Sequence, residues 1–144
     1  AVAIEGLQDA IALDSGKALY HHGLGSVYAR AFNATGQKQA FQNASAEFKE
    51  AIGLNPLDNR LLGLLGQLYV SAAQAPPSAG LTAEERRGWL RAAVPVYEQA
   101  IQLAPFSAMY RYEQARLYWL LGKRNRIVRT EFSSCPRLVG PLVA

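Results

Sequence analysis

At 144 residues and 15.7 kDa the chain has room for one domain with a continuous core. Half of its residues are hydrophobic, strand-like alternation is absent, and apolar runs such as 61–69 fall far short of the roughly 18 residues that span a bilayer. An all-α domain without membrane insertion is therefore expected. The net charge of +4 is uneven, with Lys123, Arg124, Arg126, Arg129 and Arg137 gathered near the C-terminal end, and the single Cys135 excludes an intrachain disulfide framework.

In chain order, residues 1–14 read as one helix, with Leu7, Ala10 and Leu13 on one face. Residues 17–56 read as a helical hairpin. Its first helix carries Leu24, Gly25 and Tyr28, and its second carries Ala44, Phe48 and Ala51 and stops before Pro56. Residues 57–105 repeat the pattern with Leu65, Gly66 and Tyr69, then Ala93, Tyr97 and Ala100, then Pro105. Residues 106–135 open a third copy with Ala115 and Tyr118 and lose the pattern after Gly122. Ile127, Val128, Glu131 and Phe132 suggest a short amphipathic cap, and residues 136–144, with Pro136 and Pro141, suggest an irregular tail.

Each phrase has a physical sense. A small residue at the closest approach lets helices cross tightly, while the aromatic or Leu beside it fills the remaining space. The connection 75–82, with Pro76, Pro77 and Gly80, cannot be helical throughout and reads as a tolerated surface insertion. After it, Thr82 followed by Glu85 predicts a capping box opening a long helix to about Leu103. Pro95 predicts a kink or local break in that helix.

These residues resemble the tetratricopeptide repeat, a two-helix unit of about 34 residues. The likeness runs through residues 1–122, on Leu24, Gly25, Tyr28, Ala44, Phe48, Ala51 and Pro56 and on their counterparts in the second unit. It implies a solenoid of antiparallel helix pairs wound as a right-handed α-α superhelix. On that reading residues 1–14 are the second helix of a unit whose first is missing, and the chain is expected to be a piece of a longer protein. Its bare N-terminal half-unit is then open to self-association. The chain departs from the family in its spacing. The Tyr28-to-Tyr69 step is 41 residues and the Tyr69-to-Tyr118 step is 49, with the excess around residues 34–39 and 75–87.

Catalytic and metal chemistry find little support. His21 and His22 are adjacent and point apart on a helix, with no Cys or carboxylate spaced to complete a zinc set. Gly23 and Gly25 follow no strand, so a phosphate loop is disfavoured against helix crossing. No Gly-x-Ser-x-Gly elbow occurs. A non-catalytic chain without cofactor or metal is expected.

The repeat resemblance implies a concave groove lined by the first helices of successive units. Its candidate residues are His22, Ser26, Ala29 and Arg30, then Arg60, Gly63, Gln67, Val70 and Ser71, then Met109, Tyr112, Arg116 and Trp119. Arg30, Arg60 and Arg116 are candidates to pair carboxylates, and Tyr112, Arg116 and Trp119 are candidate anchors. Trp119 has an alternative role as core against the last helix. Members of the family that clamp acidic chaperone tails carry Lys, Asn, Asn, Lys and Arg where this chain has His22, Ser26, Leu64, Met109 and Glu113, so that ligand is not expected.

The first functional expectation is a scaffold that holds a protein or peptide segment in this groove. The second is a regulatory or anchoring region of a larger bacterial protein, such as a membrane-bound surface-polysaccharide polymerase or ligase. The expected setting is a soluble domain in the bacterial cytoplasm or periplasm. RNA binding by a helical repeat ranks third, and no nucleic-acid partner is expected, because the groove set mixes apolar and acidic members and aromatics do not interleave with the C-terminal charges.

Overall fold

The computed structural model describes residues 2–122. The expectations for a basic C-terminal cluster, an amphipathic cap and an irregular tail lie outside the described residues. Six α-helices follow one another: α1 Val2–Leu13, α2 Ala18–Thr35, α3 Lys38–Leu54, α4 Asn59–Ala73, α5 Ala83–Leu103 and α6 Ala108–Leu120. A single 3-10 turn, Pro77–Ala79, lies between α4 and α5, and the described residues contain no strand. The domain is all-α. Its closest pairings are α2 with α3 and α4 with α5, and each hairpin packs on the next through α3 against α4 and α2 against α4. None of these helices is long and apolar enough to cross a membrane.

The sequence repeat is also a backbone repeat. The amide N–H groups of Asp14, Asn55 and Ala104 close the ends of α1, α3 and α5 on the carbonyls of Ala10, Ala51 and Ala100, at 3.0, 2.9 and 2.9 Å. The N-cap of the next helix lies three residues further on in each case, at Lys17, Asp58 and Ser107. Only Asp58 caps with its side chain, accepting from the Arg60 amide.

The small residues of the Leu–Gly–Tyr phrase meet the aromatics of the following helix. A Cβ at Gly25 would stand 2.8 Å from Phe48, and one at Gly66 would stand 2.7 Å from Tyr97. Ala44, Ala51, Ala93 and Ala100 are fully buried on the second helices, where they allow the same closeness from the other side. Phe41 joins four helices, with its ring centroid 5.6 Å from Phe32, 6.1 Å from Tyr69 and 4.5 Å from Trp89. One continuous core results, running from Phe32 through Tyr69 and Tyr97 to Leu117.

The two spacing excesses are absorbed differently. The first goes into longer helices, of 18 and 17 residues in α2 and α3, joined by Gly36 and Gln37 alone. Gly36 ends α2 with φ of 69°, a left-handed conformation that suits glycine. The second excess goes into the 75–82 connection and the 21-residue α5. That connection is tied down. The Arg86 guanidinium donates to the carbonyls of Ala73, Ala75 and Pro76, and Ala75 itself is buried. Ala79 lies against Gly36, and Lys38 pairs with Glu85 at 2.7 Å.

The capping box forms as expected. Thr82 Oγ1 accepts from the Glu85 amide at 3.1 Å, and the Glu85 carboxylate accepts from the Thr82 amide at 2.9 Å. With Lys38 as the largest cause, these bonds hold the Glu85 carboxyl down at about 2. Pro95 does not break α5, which runs through it as one helix. Pro95 is on the exposed side, and so is Arg91, whose carbonyl loses its partner; water can satisfy that carbonyl there.

Candidate binding groove

Two adjoining cavities lie along the face shared by α2 and α4. The larger, about 350 Å³, sits between α2, α4 and α6 and is lined by Leu19, His22, Asp58, Arg60, Leu61, Gly63, Leu64, Gln67, Met109 and Tyr110. The smaller, about 230 Å³, is lined by Ser26, Ala29, Arg30, Asn33, Phe48, Leu64, Gln67, Leu68 and Ser71. Leu64 and Gln67 belong to both, so the two form one groove. Its lining is mainly apolar with a few polar side chains, the arrangement of a ligand site.

Helical phase explains this placement. The core residues Leu24, Leu65 and Tyr69 turn inward, which leaves His22, Ser26 and Arg30 of α2 and Arg60 and Gln67 of α4 facing outward. Tyr110 of α6 packs over Gly63, where a Cβ would stand 2.8 Å from its ring. The Tyr110 hydroxyl donates to the Asn59 carbonyl and side chain at 3.0 and 2.8 Å, and burial pushes this phenol above its ordinary pKa. Tyr110 thereby forms a fixed wall between α4 and α6.

The expected groove residues divide. His22, Ser26, Arg30, Arg60 and Gln67 line the cavities, together with Ala29, Gly63, Ser71 and Met109. Val70 does not belong to the set: it is 3% exposed and part of the core, because the next unit covers its side of α4. Tyr112, Arg116 and Trp119 line neither cavity. They continue the same helical face onto the open side of α6, where Tyr112 and Trp119 are 66% and 59% exposed. The alternative role of Trp119, as core against the last helix, involves residues outside the described ones.

The three arginines on this helical face differ in whether they are already paired. Arg60 is held by Asp58, Nε to Oδ1 at 3.0 Å and Nη2 to Oδ2 at 2.8 Å. Those bonds are the main cause that keeps the Asp58 carboxyl below its usual range. Arg116 bonds Glu113 at 3.1 Å and the Gln74 side chain at 2.7 Å. Arg30 is exposed and has no hydrogen bond or ion pair among the described residues. Residues 2–122 carry ten Lys or Arg and ten Asp or Glu, so the excess positive charge falls after Gly122.

His21 and His22 do point apart. His22 lines the groove, whereas His21 is buried, with Nδ1 at 2.8 Å from Glu47 and Nε2 at 3.2 Å from the Ser15 carbonyl. His21 therefore ties the α1–α2 turn to α3. The described residues contain no cluster of three or more metal-ligating side chains.

Leu19, Asp58 and Tyr110 were not foreseen in the groove. Leu19 had a signal, since Leu19, Arg60 and Met109 follow the same steps of 41 and 49 as the repeated tyrosines. Asp58 and Tyr110 had none, because their roles depend on a side-chain pair and on contact between nonconsecutive helices. No protein-family model matches the chain, and no curated protein matches it.

Proposed function

We propose that this chain is a tetratricopeptide-type binding module that holds a segment of a partner protein in the groove across α2, α4 and α6, without catalysis. The observation that carries the reading is the pair of joined, mainly apolar cavities with polar side chains beside them on successive first helices. Repeat stacks present extended surfaces of this kind, because each unit adds one more helix to the same face. The equivalence of Gly25 on Phe48 with Gly66 on Tyr97 supports a true structural repeat beneath that surface. The balanced charge of residues 2–122 weighs against a polyanion as the groove's ligand.

The test uses Gln67→Trp, which places an indole over the junction of the two cavities. Gln67 is exposed, so the fold is expected to survive, and an unchanged helical circular-dichroism spectrum checks that. Proteins captured from bacterial extract by the parent and released by this variant support groove binding. Capture that persists undiminished in Gln67→Trp moves the binding surface elsewhere.

A further inference from the structure

The chemistry of the groove goes further than its shape. Resting on the groove reading, we infer that the ligand is an amphipathic peptide segment that buries apolar side chains in the α2–α4–α6 cavity and pairs an internal Asp or Glu carboxylate with Arg30.

Charge decides the acidic part. Of the arginines on this helical face, Arg60 already pairs with Asp58 and Arg116 with Glu113. A ligand carboxylate at either would compete with an existing ion pair. Arg30 has no partner among the described residues, and the other polar groups lining its cavity, Ser26, Asn33, Gln67 and Ser71, are uncharged. A carboxylate there gains a charge-assisted bond and meets no anion, while a cation meets an uncompensated guanidinium. The helices that form this cavity use their backbone N–H groups internally. A terminal carboxylate would thus find no amide cradle, whereas an Asp or Glu side chain needs only the guanidinium and the neutral rim.

The apolar part follows from the larger cavity. Leu19, Leu61, Leu64, Met109 and the Tyr110 ring supply its walls, and Leu19 and Met109 are 70% and 52% exposed as they stand. At about 350 Å³ it lies at the small end of the ~300–1,000 Å³ typical of ligand pockets, a size for one or two side chains. The charged side chains lining this cavity, Asp58 and Arg60, already neutralise each other, so little electrostatic attraction competes with apolar burial. The two ends of the groove therefore differ in character, and that difference sets the direction in which a segment lies.

The experiment is selection from a phage-displayed random peptide library on the parent protein, followed by fluorescence anisotropy of the selected peptides on Gln67→Trp, Arg30→Gln and Arg30→Glu. The expected peptides share an acid beside one or two large apolar residues and lose binding in Gln67→Trp. They should weaken about two- to fivefold in Arg30→Gln, as for a partly exposed ion pair, and further in Arg30→Glu. Replacing the peptide's acid by its amide should cost the parent the same factor and cost Arg30→Gln nothing more. Peptides that need an open groove but lack an acid, or ignore both Arg30 variants, overturn this inference and leave the groove reading standing. If the only acidic peptides selected depend on Arg30 through a free C-terminus, the internal-carboxylate assignment is wrong. No peptide sensitive to Gln67→Trp defeats both readings.

Discussion

The contact between Gly66 and Tyr97 can be tested by adding one methyl group. In Gly66→Ala the new Cβ would stand 2.7, 2.8 and 3.0 Å from three carbons of the Tyr97 ring. Tyr97 is 0% exposed and enclosed by the core, so the ring cannot swing aside and α4 and α5 must separate. Overpacking of this kind costs about 1–3 kcal/mol. Alanine regains about 1 kcal/mol over glycine within a helix. A net loss of up to about 2 kcal/mol is expected, which lowers the melting midpoint by up to roughly 8 °C.

Gly88 is the internal control, because it is exposed in α5 and a Cβ there meets nothing within 4 Å. Gly88→Ala should stabilise by about 0.5–1 kcal/mol, opposite in sign to Gly66→Ala. Urea unfolding followed by circular dichroism at 222 nm measures both. Pairing Gly66→Ala with Tyr97→Leu should cost less than the sum of the single changes, since Leu7 holds the corresponding place in the first copy of the phrase. A Gly66→Ala protein stabilised as much as Gly88→Ala would refute the close-crossing account of the repeat.

Three further outcomes follow from other side chains. The Tyr97 hydroxyl is buried with no hydrogen-bond partner among the described residues, and burial drives its ionisation well above the ordinary phenol range. Tyr97→Phe should therefore be neutral or stabilising by up to about 1 kcal/mol, and alkaline difference absorbance should lack one late-titrating tyrosine in the variant. The Glu85 carboxyl is lowered from 4.5 to about 2 in the folded chain, so its contribution is complete above pH 4.5 and fades as pH falls toward 2. Glu85→Gln should flatten the fall of the melting midpoint across that window, while Thr82→Ala should cost about 1 kcal/mol through the lost cap. Arg86→Met removes the donors that hold the carbonyls of Ala73, Ala75 and Pro76. It should destabilise by about 1–3 kcal/mol and open the 75–82 connection to limited proteolysis, and unchanged cleavage would refute the tether.

The helical class, the helix ends and the buried small residues were legible in the chain because they depend on local periodicity. Helix ends at Leu54 and Leu103 follow from Pro56 and Pro105, and the capping box at Thr82 is a contact between residues three apart. Leu24, Ala44, Phe48, Ala51, Leu65, Ala93, Tyr97 and Ala100 recur in phase, so their burial was predictable from spacing alone. Tertiary structure decided what spacing cannot encode. Val70 left the groove because α6 covers that side of α4, and Tyr112 and Trp119 stayed exposed at the same phase because no described helix covers them. Pro95 left α5 unbroken because it lies on the exposed side. Three arginines that are equal in sequence became unequal once Asp58 and Glu113 took two of them, leaving Arg30 without a partner among the described residues. Periodicity sets which way a side chain points, but only the packing of distant helices sets what it meets there.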